Sequence, residues 1–268
     1  MLFRFITLLT ISKDAIRIYK PFYAFSLTLP PMLKEAIEAI ASGKFVLVYD
    51  ADDREHETDF VICSQFVTHE HVRQMRKEGG GLICVTVPPE FWEAVGLPYL
   101  TDVLSRCWND YSVLKALEPY DIPYDAKSSF SVTINHRRTF TGITDRDRAL
   151  TISEFGKSVG EYFRHRKPEE SLRNLKANFR SPGHVPLLNA SKGLVTRRQG
   201  HTELATALMV MAGVTPSAAI CEIMADDGHA MKKEDARMFA KQNGLIFVEG
   251  KEIIEAWRNE GRDGFGRV

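Results

Sequence analysis

Six short apolar runs, separated by helical patterns of unequal length, constrain this chain more than any other feature. "KFVLVYD", "FVICSQFV", "GGGLICVTV", "FSVTINHRRTF", "AAICEIMA" and "LIFVEG" each have the length and residue types of one strand. "MLKEAIEAIASGK" places Leu33, Ile37 and Ile40 on one helical face, and Gly43 stops it. Thr68 is a candidate N-cap for "HEHVRQMRKE", prolines open "PPEFWEAVG", and "GITDRDRALTISEFGKSVG" turns into a further helix. "QGHTELATALMVMAGV" opens a strongly apolar helix, and "DDGHAMKKEDARMFAKQNG" reads as turn and helix. Residues 97–128 read as irregular, 163–178 as a charged helix or loop, and "RSPGHVPLL" as an ordered loop before a strand. This order lacks the regular spacing of parallel βαβ units. It predicts an α/β (α+β) fold, one compact domain with a mixed β-sheet flanked by helices.

The domain is expected over residues 32–257. It is preceded by an N-terminal extension, residues 1–31, and followed by a glycine-rich flexible tail, residues 258–268. The extension is aromatic and aliphatic, but Arg4, Lys13, Asp14, Arg17 and Lys20 break it up, and it fits a secretion signal poorly. Three readings stay open: an upstream misassigned start with Met32 as the true one, an amphipathic appendage, or a membrane anchor. The first is preferred.

Charge is balanced, with 35 Lys and Arg against 35 Asp and Glu, so no global field draws in nucleic acid or an anionic membrane. Any phosphate must be held by local groups. Cys63, Cys84, Cys107 and Cys221 form no C-x-x-C pair, which argues against a cysteine zinc site and for reduced thiols in the cytoplasm.

Four stretches could carry chemistry. "DADDREHETDF", residues 50–60, puts six carboxylates, one arginine and one histidine on a tight strand-to-strand connection. A hard cation needs one or two such carboxylates, yet composition alone favours a solvated loop. "TRRQGHTE", residues 196–203, combines a glycine, a hydroxyl and two arginines at a helix N-terminus, a phosphate cradle or simply a capped helix. "RSPGHV" holds His184 in a defined turn, suited to acid/base work or structural. "CEIM" puts Glu222 among apolar neighbours, where a carboxylate needs a partner and could serve as a general base.

In order, "DREHETD", "GGLICV", "TGITDRDRA", "RSPGHV", "RQGHTE" and "CEIM" resemble 3,4-dihydroxy-2-butanone-4-phosphate synthase, a lyase of riboflavin biosynthesis. The resemblance spans roughly residues 32–257, and "KSSFSVTINHRRTFTGITD" is most similar to the archaeal monofunctional branch. It implies conversion of the phosphosugar D-ribulose 5-phosphate to L-3,4-dihydroxy-2-butanone 4-phosphate and formate. The implied cofactor is Mg2+ or Mn2+, and the implied assembly a cytoplasmic homodimer with sites at the interface. Carried onto this sequence, the family pattern makes Glu55 and His201 metal ligands that also meet substrate. Arg54 and Asp59 become substrate contacts, Asp59 to hydroxyls. Arg198, Gln199, Gly200 and Thr202 form the phosphate grip, and His184 and Glu222 the proton-transfer pair, with Glu222 also touching substrate. Cys84, Thr141 and Asp147 match positions around the pocket. His56 departs from the pattern, standing where relatives carry a small residue or asparagine, and is expected to modulate the loop rather than bind metal.

Overall fold

The structure, a computed structural model, describes residues 29–259. Its elements in chain order begin with α1 (Pro31–Ala41), β1 (Val46–Tyr49), β2 (Thr58–Cys63), α2 (His69–Gln74) and β3 (Cys84–Val87). They continue with α3 (Pro89–Val95), α4 (Leu100–Arg106), α5 (Ser112–Ala116), β4 (Phe130–His136), α6 (Asp145–His165) and α7 (Pro168–Asn178). The last are β5 (Phe179–Asn189), α8 (His201–Met211), β6 (Ala218–Glu222), α9 (Lys233–Gln242), β7 (Ile246–Glu249) and α10 (Gly250–Asn259). Nearly all of the expected 1–31 extension and most of the expected tail lie outside the described residues.

The strands form one seven-stranded sheet in the order β4-β5-β3-β6-β2-β1-β7. Two pairings, β1 with β7 and β3 with β5, are parallel, and the other four are antiparallel. The sheet is therefore mixed, as the irregular spacing predicts. Strand alternation divides the core between its two faces. Val46, Val48, Val61, Ala218 and Ile220 pack with α1, α8 and α10 on one face. Leu47, Tyr49, Phe60, Ile62, Ala219 and Cys221 pack with the helices of the other, chiefly α2, α6 and α9. All eleven residues of α8 are buried, which is why its sequence beyond the polar first turn and Thr206 is apolar all round rather than striped.

Local signals explain most boundaries. Proline starts α1, α3 and α7, where a missing N–H costs nothing. Thr68 caps α2 through a reciprocal pairing with His71, and Thr144 accepts the Asp147 N–H to cap α6. Three expectations differ from the structure. Residues 97–128 contain α4 and α5, because Pro98, Pro119 and Pro123 flank these helices instead of interrupting them. The run "FVICSQFV" leaves the sheet at Cys63 and closes as a 3₁₀ turn over Ser64–Phe66. "RSPGHVPLL" lies within β5, paired to β4 through a register irregularity around the cis Ser181–Pro182 peptide. A bulge lets a proline, which lacks an N–H, sit inside a paired strand.

Candidate active site

The β1–β2 hairpin turns on one buried carboxylate. Asp50 is 2% exposed and accepts the backbone N–H groups of Glu55 at 2.9 Å and Glu57 at 3.1 Å. The acidic loop is thus wrapped around a fixed anion, and it folds back rather than splaying as a solvated stretch. His56 takes a left-handed turn at φ 59° and stays exposed, which identifies its effect on the loop as a backbone one.

That fold-back aims Glu55 and Asp59 at the N-terminus of α8. Glu55 Oε2 lies 3.4 Å from His201 Nδ1, and Asp59 Oδ1 lies 3.6 Å from His201 Nε2. Ligand-capable atoms of Asp50, Glu55 and His201 all lie within 4.8 Å of one another. Burial opposes charge on His201, but Asp59, Glu55 and Asp50 outweigh it and push the imidazole up to about 10. Burial likewise raises the Asp59 carboxyl, with Glu222, Glu55 and Glu57 adding to it against His201. For Glu55, burial is outweighed by the His201 contact and by Arg54 and Arg198, which hold its carboxyl down. Asp59 Oδ1 and His201 Nε2 are buried without a hydrogen-bond partner. Mixed carboxylate and imidazole donors with unsatisfied buried atoms fit a hard divalent cation.

The second half of the site is an anion grip. Gly200 precedes α8, and a Cβ there would stand 2.4 Å from Arg198 Nη1 and 2.7 Å from Arg54 Nη1, so a side chain at this position would push both guanidinium groups off the helix start. Arg198 Nη1 is held at 2.5 Å by the fully buried Glu203, whose other oxygen accepts the Ser191 N–H at 2.8 Å. Asp125 Oδ2 lies between the two arginines, 3.2 Å from Arg54 Nη2 and bonded to Arg198 Nε. Glu222 sits beside Asp59 across the β2–β6 pairing, and its Oε2 accepts the Leu82 N–H at 2.7 Å.

A cavity of about 340 Å3 joins these groups. Glu55, Asp59, Arg198, His201, Thr202 and Glu222 all line it, together with Tyr124 and Asp125. Cys84 is buried at the neighbouring strand position opposite Ile220, its thiol raised first by burial and then by Glu222 and Asp59. Gln199 is exposed and outside the cavity lining. His184, Thr141 and Asp147 do not line it either. They form a separate cluster, in which Asp147 Oδ2 accepts the Gly142 N–H at 2.9 Å and Asn135 bonds both Thr141 and His184.

The family model described as 3,4-dihydroxy-2-butanone 4-phosphate synthase matches residues 34–256. The chain belongs to this family. It is 50% identical over 227 residues to the 3,4-dihydroxy-2-butanone 4-phosphate synthase of Methanothermobacter thermautotrophicus, covering 84% of this chain and 96% of the relative. The Archaeoglobus fulgidus protein of the same name is 44% identical, covering 84% and 93%. A crystal structure of a 3,4-dihydroxy-2-butanone 4-phosphate synthase in complex with two magnesium ions superposes with a TM-score of 0.66 at 26% identity, covering 85% of this chain and 98% of that one. The chain is accordingly an enzyme of the dihydroxybutanone phosphate synthase family, most similar to archaeal members among these relatives. Among the described residues, no helix is long and apolar enough to cross a membrane.

Three residues of the site and one of the His184 cluster carry little sequence signal. Asp50 is one acid among six, Glu203 reads as an ordinary first-turn glutamate, Asp125 falls in a stretch without periodicity, and Asn135 is one more polar residue on an alternating strand.

Proposed function

We propose that this enzyme converts D-ribulose 5-phosphate into L-3,4-dihydroxy-2-butanone 4-phosphate and formate in cytoplasmic riboflavin biosynthesis. The observation that carries the reading is one cavity holding a cation-fitting carboxylate–imidazole group beside an arginine-lined helix N-terminus. Glu55 and His201 would hold Mg2+ or Mn2+, with Asp50 behind them. When bound, the cation would supply Lewis-acid polarisation of the sugar's carbonyl and hydroxyl oxygens.

The chain's own groups do the rest. Arg198, Arg54, Thr202 and the free N–H groups of α8 orient the phosphate. Asp59, buried beside Glu222 and facing His201 Nε2, contacts the sugar hydroxyls. Glu222, anchored through one oxygen by Leu82, keeps the other for proton transfer. His184 is the second proton-transfer group, with Thr141 and Asp147 supporting its turn and Cys84 shaping the pocket wall. Because the His184 cluster does not line its own chain's cavity, we place it at the cavity of a second subunit in a homodimer with shared sites.

Purified protein supplied with D-ribulose 5-phosphate and Mg2+ should release formate stoichiometrically with sugar consumed. Glu55→Ala and His201→Ala should abolish that release. Consumption without formate would indicate an isomerase or aldolase, and folded dimer without turnover would refute the reading.

A further inference from the structure

Asn135 lies outside every role assigned above, yet it is the hub of the His184 cluster. It sits on β4, is 4% exposed, and touches the β5 bulge and the β4–α6 turn together. Its Oδ1 accepts the backbone N–H of His184 at 2.9 Å, and its Nδ2 donates to the carbonyl of Thr141 at 3.3 Å. A backbone N–H can only donate and a carbonyl can only accept, so these two contacts fix which end of the amide is which. The amide nitrogen then lies 3.1 Å from His184 Nδ1 with one hydrogen uncommitted. Oδ1 keeps a second lone pair but is slightly farther from Nδ1, at 3.3 Å, whereas the Nδ2 contact pairs both amide hydrogens.

The surroundings leave the amide no other pose. A Cβ at Gly142 would fall 2.1 Å from Asn135 Nδ2, and Gly142 holds φ +96°, so the turn has been cleared for this side chain. A Cβ at Gly183 would fall 2.3 Å from the Asn135 backbone nitrogen, which brings the bulge into direct contact with β4.

We propose that Asn135 is a positioning residue that sets the tautomer of His184, donating to Nδ1 so that the neutral ring carries its proton on Nε2. A proton on Nδ1 would face the amide hydrogens at 3.1 Å, so that nitrogen keeps its lone pair. The exposed Nε2–H is thereby presented outward as a hydrogen-bond donor. In this neutral form His184 meets the reacting oxygens as a donor of hydrogen bonds, which leaves proton abstraction to Glu222. The inference rests on the proton-transfer role given to His184 above, while the tautomer itself belongs to the resting protein.

The test is heteronuclear NMR of the full chain labelled in histidine, with His184→Gln to assign the ring. The wild-type ring should show a protonated Nε2 and an unprotonated Nδ1. Asn135→Asp replaces the donor by a carboxylate that can only accept, and the ring should switch to Nδ1–H. The same variant should lose roughly 10- to 100-fold in kcat with KM within about twofold, as expected for a wrong-tautomer acid/base group. A wild-type ring protonated on Nδ1, or a rapidly exchanging mixture, overturns the proposal without any variant having to fold. An unchanged tautomer in folded Asn135→Asp overturns it too. Since the tautomer is read without substrate, absence of formate release would sink the proposed reaction alone.

Discussion

Loading the metal-free enzyme with a divalent cation should expel protons, and the structure says from where. His201 is enclosed by Asp59, Glu55 and Asp50, and the imidazole is pushed up to about 10, so it is charged at neutral pH. A cation can use an imidazole nitrogen only after that proton leaves. At pH 7 the ring lies about three units below its midpoint, and each unit is worth about 1.4 kcal/mol, so removing the proton costs about 4 kcal/mol. Apparent affinity for Mg2+ should therefore rise about tenfold per pH unit from 7 toward 10, then level off. Stability of the metal-free protein runs the opposite way. His201 has a folded pKa above its unfolded one, so its contribution is complete below about 6.5 and is lost as pH climbs through about 10. Calorimetric titration of Mg2+ in buffers of different ionisation enthalpy counts the protons released. The expected count at pH 7 is at least one, falling in His201→Ala. Tight Mg2+ binding with no proton release and no pH dependence between 7 and 9 would refute the arrangement.

Three substitutions probe the groups around that centre. Gly81→Ala would put a methyl 2.3 Å from Glu222 Oε2 and 2.8 Å from its carbonyl oxygen, so the unfolding free energy should drop by about 1–3 kcal/mol and kcat should fall with Glu222 displaced. His56→Asn relieves a left-handed residue at φ 59° and should raise stability by on the order of 0.5 kcal/mol with turnover unchanged, as thermal unfolding and kcat together would register. Asp125→Asn removes the carboxylate lying between Arg54 and Arg198, and inorganic phosphate should inhibit about tenfold more tightly; weaker inhibition would mean that Asp125 orients the arginines rather than competing for them.

Much of the sheet is legible in the chain because strand alternation is a local property. Val46 and Val48 against Leu47 and Tyr49 already announce two buried faces. β5 is not legible, since "SPG" argues for a loop and only its pairing partner β4 reveals a bulged strand. The metal-fitting acids illustrate the same limit at the site. Six carboxylates between residues 50 and 60 are visible, but which one organises the loop depends on the hairpin reversal that brings two N–H groups onto Asp50. Asp125 reaches the arginines from more than seventy residues away, with no periodic signal in its own segment. The assignments of Arg54, Glu55, Asp59, Arg198, His201 and Glu222 came from resemblance to a family; the fold gathers the last five around one cavity and sets Arg54 beside it, bonded to the lining Asp125. His184, Thr141 and Asp147 came from the same resemblance and are gathered elsewhere.

That separation makes the strongest demand on the assembly. The proposed homodimer accounts for it by presenting the cavity of a second copy to the exposed His184 cluster. In that proposal, closed twofold symmetry gives each dimer two equivalent sites, each taking Glu55 and His201 from one subunit and His184 from the other. Glu55→Ala and His184→Ala should each be inactive alone. Mixed and allowed to exchange subunits, they should recover activity, because one site of every mixed dimer carries all its damage and the other carries none. With random exchange at equal amounts, half of the dimers are mixed, so recovery should approach about a quarter of the wild-type rate. A dimer that exchanges subunits freely yet recovers nothing would place His184 and Glu55 in the same chain's site. The distance between the two clusters would then have to close by a movement within one subunit.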